Sequence, residues 1–410
     1  MCVRQCPCQT IELVKRKTLS ERRQPSCQFA CPSGVDVRGW MSVVNNGGSI
    51  DDAWRLIVRN NPFPAVTGRV CPHPCESACN RGYLDEALSI NSLERFIGDY
   101  GIENGLAFAA PEKKKKEKVA VVGAGPSGMS CAYHLAAMGY PVTVFEAGGR
   151  PGGMLSHAIP RYRLPQAIID AEIQRITDMG VEWRYNTKIG RDIGLDRLAQ
   201  DFRAVFVAIG AQESAALNIE GEHASNVVTG LKFLRDISEG KKVSPGRKVV
   251  VVGGGNTAVD AARAARRLGS EVTIIYRRTQ SEMPAYPPEV EEAGREGVKI
   301  EFLCAPVRVA LNGSNKAVSV VCTRMRLGET DASGRPKPVP VSSSEFSLDL
   351  DSLIVAVGQE VDSTGMDVLT DKTGWIGTDG SGATSQVGIF AGGDAAAGPG
   401  TVSGAIGQGR

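Results

Sequence analysis

The sequence predicts an α/β protein in which a small helical domain precedes two domains built on parallel β-sheets. From Lys118 onward, short Val- and Ile-rich runs alternate with amphipathic stretches of about a dozen residues, which is typical of βαβ units. This pattern starts twice, at Val119 and at Val249, each time as an apolar run that leads into glycines. The preceding residues instead combine helical patches with clustered cysteines and no alternating strand.

Composition and charge narrow the classes of function. The 410 residues include 48 glycines, well above the roughly 29 expected at a usual ~7%, so many tight turns and close backbone approaches are expected. A net charge of +2 gives no field that would attract nucleic acid or an anionic membrane. No apolar run approaches the roughly 18 residues of a membrane span, and the first residues lack the apolar core of a signal peptide. We therefore expect a cytoplasmic protein without a membrane span and without nucleic-acid partners.

The first glycine loop predicts a dinucleotide site in a Rossmann-like domain. Gly123 permits a tight turn, Gly125 lets the backbone approach a pyrophosphate, and Gly128 allows the helix to pack on the strand. Glu146 ends the next strand 23 residues after Gly123, where a carboxylate accepts hydrogen bonds from ribose hydroxyls. The candidate residues here are Gly123, Gly125, Pro126, Ser127, Gly128 and Glu146.

The second glycine loop predicts a different nucleotide. It has the G-x-G-x-x-A form and ends at Ala258, but the position 24 residues after Gly253 holds Arg277, followed by Arg278. A guanidinium there suits a ribose 2′-phosphate, as in NADPH, whereas an acid would suit NADH. The alternative is an exposed arginine pair at a strand end. The candidate residues are Gly253, Gly255, Asn256, Thr257, Arg277 and Arg278.

Two such sites in one chain predict a flavin dinucleotide and NADPH. Hydride transfer requires the nicotinamide and flavin rings to stack in a dry crevice, so the two sites are expected to face each other. A later strand ends at Gly393 and Asp394, where an acid is available for the ribityl or phosphate region of the flavin.

Eight of the 11 cysteines lie within the first 79 residues, which predicts a metal site, because disulfides are rare in a reducing cytosol. Cys31 and Cys71 each precede proline, as is frequent at iron–sulfur ligands. Zinc is the main alternative, and buried or reactive thiols are a third, but zinc sites favour C-x-x-C pairs and histidine partners. The spacing of Cys75 and Cys79 on a short helical segment predicts that these two thiols lie near one face.

The sequence resembles the glutamate synthase small subunit family in an ordered series of segments. These are the cysteine segment, Ile159–Pro165, the loop at Gly253, the two arginines and the Gly393–Asp394 turn. That family also includes the large subunit of NADH-dependent ferredoxin:NADP oxidoreductase and the N-terminal half of dihydropyrimidine dehydrogenase. The resemblance extends from about residue 25 to the end of the sequence.

The resemblance implies FAD, NADPH (or NADH) and one or two 4Fe-4S clusters. It implies that Cys31, Cys71, Cys75 and Glu94 hold one cluster, and that Cys27 and Cys79 hold another with two upstream thiolates. Family members place a C-x-x-C just before the counterpart of Cys27, whereas here Cys2, Cys6 and Cys8 lie further upstream. The implied ligands are Cys27, Cys31, Cys71, Cys75, Cys79, Glu94, Cys6 and Cys8, and the further implied FAD contacts are Gly152, Gly153, Arg163, Thr401 and Val402.

We therefore predict two Rossmann-like nucleotide-binding domains, the FAD domain being discontinuous, preceded by a small α-helical iron–sulfur domain. The boundaries are 1–112 for the iron–sulfur domain, 113–228 with 363–410 for the FAD domain, and 229–362 for the NAD(P)H domain. Hydride would pass from NADPH to FAD, and single electrons would pass through the clusters to a partner subunit or a ferredoxin in a heteromeric complex. Hydride transfer needs no side-chain acid or base, so no catalytic residue is predicted. The alternative is a self-contained flavin-dependent NAD(P)H reductase with a structural metal domain.

Overall fold

The computed structural model describes residues 25–330 and 334–410. They divide into two compact units, the first comprising residues up to Gly153 with Leu164–Gly210 and Ser363–Arg410, and the second comprising Met154–Arg163 and Ala211–Asp362. This grouping differs from the predicted boundaries, because residues 154–163 and 211–228 fall with the NAD(P)H unit. The predicted iron–sulfur segment lies in the same unit as the FAD segments.

The N-terminal part of the first unit is helical, as predicted. Asp36 and Ser49 cap the helices that follow them, because their side chains accept hydrogen bonds from the amides of Gly39 and Asp52. Its buried core contains Trp40, Trp54, Ile57, Ile90 and Ile97. The helices are α1 (Ser26–Ala30), α2 (Val37–Asn45), α3 (Ile50–Val58), α4 (Pro64–Val70), α5 (Pro74–Ser77) and α6 (Ile90–Glu103), with a 3₁₀ turn at Asn80–Tyr83.

Two glycines interlock helices α4 and α6. A Cβ atom at Gly68 would fall on the backbone of Arg95, and one at Gly98 would fall on the backbone of Ala65. The two backbones therefore approach more closely than side chains would allow. This contact fixes Glu94, on α6, relative to Cys71, which follows α4.

The rest of the chain alternates strands and helices. Their bounds are β1 (Val119–Val122), α7 (Pro126–Ala137), β2 (Val142–Phe145), α8 (Met154–His157), α9 (Gln166–Asp178), β3 (Glu182–Arg184), α10 (Leu195–Asp201), β4 (Ala204–Val207), β5 (Glu213–Ser214), β6 (Val227–Thr229), α11 (Gly230–Ser238), β7 (Lys248–Val252), α12 (Asn256–Arg267), β8 (Glu271–Tyr276), α13 (Pro287–Arg295), β9 (Lys299–Phe302), β10 (Cys304–Leu311), β11 (Ala317–Thr330), β12 (Pro336–Pro340), β13 (Phe346–Asp349), β14 (Ser352–Val355), β15 (Gln359–Glu360), β16 (Ile389–Ala391), α14 (Asp394–Ala397) and α15 (Val402–Gln408).

Each unit contains one five-stranded parallel sheet. The first has the order β3-β2-β1-β4-β16, and the second has the order β9-β8-β7-β14-β6. Strand β1 is buried along its whole length, as expected for a central parallel strand covered on both faces. Strand β1 is central in the first sheet and β7 is central in the second, and each leads into a glycine loop. The predicted Rossmann-like fold class is therefore confirmed.

The second unit also contains an antiparallel element that the sequence did not predict. Strand β11 pairs with β10, β12 and β13, and the short strand β5 pairs with β15. Cys304 and Cys322 lie buried in the core beneath β10 and β11, as small apolar side chains do. Among the described residues, no helix combines the length and hydropathy needed to cross a bilayer.

Candidate functional site

The first glycine loop leaves space at its middle glycine. Gly123 has a φ of +101°, and a Cβ atom there would fall on the carbonyl oxygen of Ala208. A Cβ atom at Gly128 would fall on the carbonyl of Gly123, so both positions require glycine. By contrast, a Cβ atom at Gly125 would meet nothing within 4 Å. The open space beside Gly125, at the start of helix α7, fits a pyrophosphate.

Glu146 holds this loop from the end of strand β2. Its Oε2 accepts a hydrogen bond from the Ala124 amide at 2.8 Å, and its Oε1 accepts one from the Gly148 amide at 2.7 Å. Each carboxylate oxygen can accept a further hydrogen bond, so the carboxylate fits the ribose hydroxyls of a dinucleotide.

The other predicted FAD segments lie around the same loop. The Gly152 amide donates to the Ala124 carbonyl at 2.8 Å, and a Cβ atom at Gly153 would lie 2.8 Å from the Cα of Gly125. A Cβ atom at Gly393 would lie 2.9 Å from the Cβ of Ser127. The Ser127 hydroxyl is buried without a hydrogen-bond partner among the described residues, which fits a site that a ligand completes.

Two further predicted FAD positions follow strand β16. Asp394 accepts a hydrogen bond from the Gly400 amide at 3.1 Å, and burial raises the pKa of its carboxyl group. Thr401 caps helix α15 by accepting from the Gly404 amide at 2.9 Å, and Val402 is the first residue of that helix. Helix α15 packs on α7, where the Ser130 hydroxyl donates to the Ile406 carbonyl at 2.8 Å.

The second glycine loop repeats this geometry inside the second unit. Gly253 has a φ of +142°, and a Cβ atom there would fall on the Ala356 carbonyl. A Cβ atom at Gly255 would have only the Cγ of Pro284 within reach, at 4.0 Å. Asn256 accepts a hydrogen bond from the Tyr286 amide at 3.0 Å, so the segment after β8 folds against the loop. Thr257 is the second residue of helix α12, with its hydroxyl 3.4 Å from the Nε2 of Gln359.

The two predicted phosphate-binding arginines have different environments. Arg277 is exposed, whereas Arg278 is 4% exposed and donates from Nε to the Pro336 carbonyl at 2.8 Å. Both residues follow the end of strand β8 at Tyr276, with Arg277 at the surface and Arg278 buried. The hydrogen bond of Arg278 ties it to strand β12. Binding of the ribose 2′-phosphate stays a prediction for both arginines, of which Arg277 is the exposed one.

The guanidinium of Arg163, a predicted FAD contact, has partners within the second unit. Its Nη1 lies 2.7 Å and 2.8 Å from the two carboxylate oxygens of Asp260, and its Nη2 lies 2.9 Å from Glu289. These partners, on helices α12 and α13, occupy its guanidinium within the second unit. The structure therefore gives Arg163 the role of tying residues 154–163 to that unit.

Three cysteine thiols in the helical part interact electrostatically with the carboxylate of Glu94. Burial raises the pKa of the thiols of Cys31, Cys71 and Cys75, that of Cys71 to about 11, and the charge of Glu94 raises all three further. The three thiols are therefore close enough to Glu94 to respond to its charge. That these four groups hold one cluster stays a prediction of the resemblance. Helix α5 ends at Ser77, so the helical spacing used in the prediction does not extend to Cys79.

Glu94 has the hydrogen bonding expected of an oriented ligand. Its Oε1 accepts from the Thr67 hydroxyl at 2.7 Å and from the Asn61 amide group at 2.9 Å. Burial raises the pKa of the carboxyl group to about 7. Its Oε2 accepts no hydrogen bond among the described residues, so one oxygen is held and the other is available for iron.

Cys27 and Cys79 form a separate pair. Burial raises the pKa of the Cys27 thiol, and the charge of Cys79 raises it further. The neighbouring Ser26 and Asn80 side chains are hydrogen-bonded at 3.1 Å, which joins the two segments. Cys6 and Cys8 lie outside the described residues. Within the described ranges, no three His, Cys, Asp or Glu side chains come close enough to hold a single metal ion.

Two family descriptions match the chain. Residues 112–409 match "Pyridine nucleotide-disulphide oxidoreductase", and residues 16–106 match "Dihydropyrimidine dehydrogenase domain II, 4Fe-4S cluster". The chain belongs to the pyridine nucleotide-disulphide oxidoreductase family. The predicted cofactor classes, FAD, NAD(P)H and a 4Fe-4S cluster, are thereby confirmed, as is the enzyme class of an NAD(P)H-dependent oxidoreductase.

Relatives within this family carry the resemblance predicted from the sequence. The NADPH-Fe(3+) oxidoreductase subunit beta of Geobacter sulfurreducens is 42% identical over 93% of this chain and 62% of its own length. The glutamate synthase [NADPH] small chain of Escherichia coli is 34% identical over 94% of this chain and 86% of its own length. The chain thus spans about three fifths of the Geobacter relative. FprA from Mycobacterium tuberculosis in complex with NADPH shares the fold, with a TM-score of 0.62 at 20% identity over 72% of this chain and 82% of FprA.

A buried carboxylate that the sequence analysis missed supports the cluster region of this oxidoreductase. Glu172, on α9, is fully buried and accepts hydrogen bonds from the Ala65 and Val66 amides at 2.9 Å and 3.1 Å. These are orphan amides of the first turn of α4, so Glu172 fastens that helix from a distance of over 100 residues in sequence. Asn61 and Thr67 were also missed, because single polar residues in a helical patch carry no signal.

We expect Glu172→Leu to destabilise the first unit by about 2–4 kcal/mol, because two buried amides lose their acceptor. Chemical denaturation followed by tryptophan fluorescence measures the change, and hydrogen exchange at Ala65 and Val66 locates it. Gln174→Leu, at an exposed position of the same helix, is the matched control. Equal stabilities of the two variants would contradict the anchoring role.

Proposed function

We propose that the chain is an electron-transfer subunit that takes hydride from NADPH onto FAD and passes single electrons through 4Fe-4S clusters to a partner subunit or ferredoxin. When bound, FAD supplies the two-electron to one-electron conversion that this route needs. The names of the relatives support the proposal, since they describe subunits of NADPH-dependent oxidoreductases and of glutamate synthase. The relative from Moorella thermoacetica, 41% identical over 94% of this chain and 58% of its own length, is the beta subunit of an NADP(+)-dependent formate dehydrogenase.

One observation carries the proposal: the cysteine–Glu94 group and the first glycine loop lie in the same compact unit. Helix α15 follows the predicted FAD residue Thr401. It packs against helix α7, after the first glycine loop, and against the segment that contains Cys31. Its Ile406 carbonyl accepts from Ser130 on α7, and a Cβ atom at Gly407 would fall on the carbonyl of Pro32, next to Cys31. A purely structural metal would need no such closeness to the flavin segments.

Metal and sulfide analysis of anaerobically purified protein tests this function. We expect about four irons and four sulfides per FAD if only the Glu94 group holds a cluster, and about eight if Cys27 and Cys79 hold a second one. NADPH should then bleach the flavin first and the broad cluster absorbance afterwards. Zinc without sulfide would contradict the electron-transfer function and favour the self-contained reductase.

We propose that Arg277 selects NADPH over NADH through the ribose 2′-phosphate. Replacing it with glutamine should lower the preference for NADPH about ten- to a hundredfold, the value of one charge-assisted hydrogen bond. Stopped-flow flavin reduction with each nucleotide measures the ratio. Arg295→Gln, at another exposed arginine of the second unit, should leave the ratio unchanged. An unaltered ratio in Arg277→Gln would contradict this assignment.

A further inference from the structure

The side chain of Ser403 touches both a predicted cluster ligand and a predicted FAD residue. Its hydroxyl oxygen lies 3.5 Å from the Sγ of Cys71 and 3.2 Å from the Oγ1 of Thr401. Ser403 is 3% exposed, and its carbonyl accepts a hydrogen bond from the Ser33 hydroxyl at 2.8 Å. A chain of three polar groups thus runs from Thr401 through Ser403 to Cys71.

The chemistry of a ligating cysteine fixes the direction of these hydrogen bonds. A cysteine that binds iron is a thiolate, which can accept hydrogen bonds but has no proton to donate. The contact with Cys71 therefore requires the Ser403 hydroxyl to be the donor. Thr401 already accepts from the Gly404 amide at 2.9 Å, so its own proton is available to the Ser403 oxygen. The other donor to the Cys71 sulfur is the His73 amide, at 3.3 Å.

We propose that Ser403 is a positioning residue that sets the reduction potential of the cluster at Cys31, Cys71, Cys75 and Glu94. Hydrogen bonds to cluster sulfurs raise the potential, because they stabilise the additional negative charge of the reduced cluster. The reduction adds one electron and makes or breaks no bond, and the proton remains on the Ser403 oxygen. This inference rests on the proposed function. It adds that a residue of helix α15 sets the reduction potential of the cluster that accepts electrons from the flavin.

Redox titration of the Ser403→Ala variant tests the inference. Mediated reduction with dithionite, followed by electron paramagnetic resonance, measures the cluster potential without relying on the flavin. We expect the potential to fall, so that the ratio of reduced to oxidised cluster at a fixed applied potential drops about two- to tenfold. Iron and sulfide content and the rate of flavin reduction by NADPH should stay at the wild-type values.

Three further variants distinguish an effect of the Ser403 hydroxyl on the potential from an effect of altered packing of helix α15. Ser403→Thr keeps the hydroxyl and should titrate as the wild type does, whereas Ser403→Gly removes it and should behave as Ser403→Ala does. Ser33→Ala removes the hydrogen bond to the Ser403 carbonyl and should leave the potential unchanged. A wild-type potential in Ser403→Ala or Ser403→Gly would overturn the inference, as would an equal fall in Ser33→Ala. A wild-type protein without a reducible cluster would instead overturn the proposed function.

Discussion

Gly125→Val is expected to yield a folded protein that purifies without FAD. Gly125 has φ −78° and ψ 179°, a conformation that valine adopts readily, and a Cβ atom there meets no protein atom within 4 Å. The added side chain instead fills the space that fits the pyrophosphate and keeps it from the amides at the start of α7. Loss of two charge-assisted hydrogen bonds would weaken FAD binding by about a hundredfold to ten-thousandfold. Flavin absorbance per protein and thermal unfolding of the apoprotein measure the two effects.

The matched control is the corresponding substitution in the second loop. Gly255 has φ −90° and ψ 174°, so Gly255→Val should also fold. That variant should retain its FAD but lose reduction by NADPH, while dithionite still reduces the flavin. If both variants lost FAD, or if Gly125→Val kept it, the assignment of the two loops would be wrong.

Glu94→Ala is expected to change or abolish the electron paramagnetic resonance signal of one cluster while NADPH still reduces the flavin. The carboxylate is buried and oriented by Thr67 and Asn61, and no other acid is predicted to replace it as the fourth ligand. Loss of a ligand changes the charge and geometry of the cluster, or leaves it to lose iron. Anaerobic reduction with spectra at several temperatures and potentials resolves the signal that is affected.

Two comparisons make the Glu94 result specific. Glu103→Ala removes an exposed carboxylate from the same helix and should leave every signal unchanged. Cys79→Ser should spare the signal that depends on Glu94 and alter a second one, if Cys27 and Cys79 hold a cluster of their own. Equal loss of flavin reduction and of both signals in Glu94→Ala would contradict this arrangement.

The nucleotide loops were predictable because their chemistry is local. A strand, three spaced small residues and a helix lie within residues 119–137. Gly123 and Gly128 are required by backbone contacts in this segment or after the neighbouring strand, and Gly125 leaves the space for a ligand. The strand-end acid Glu146 follows from the same unit. The sequence therefore predicted both sheets and the residues around Gly125 and Gly255 without knowledge of the rest of the chain.

The cysteines show where spacing fails. Helical spacing predicted that Cys75 and Cys79 share one face, but helix α5 ends at Ser77, so Cys79 follows a break in the helix. The charge of Cys79 raises the pKa of Cys27, whereas the charges of Cys71 and Cys31 raise that of Cys75. The family resemblance supplied this grouping, which depends on where one short helix stops.

The remaining differences depend on contacts between segments far apart in sequence. The burial of Arg278 depends on Pro336, and the environment of Arg163 depends on helices about 100 residues later. Glu172 and Ser403 likewise gain their roles only through partners in the helical region. No local pattern marks such residues, because an isolated acid or serine is compatible with many environments.

The division of the chain into interleaved units has a consequence for biosynthesis. Strand β16 and helix α15 complete the first unit, yet they leave the ribosome some 180 residues after β4, the strand that β16 pairs with. At roughly 5–20 residues per second, the nascent first unit waits about 10–40 seconds with that sheet edge unpaired. The second unit, in contrast, has all its strands once residue 362 has emerged. Cofactor loading of the flavin and cluster region is therefore expected to follow synthesis of β16 and α15, after the NAD(P)H unit has already formed.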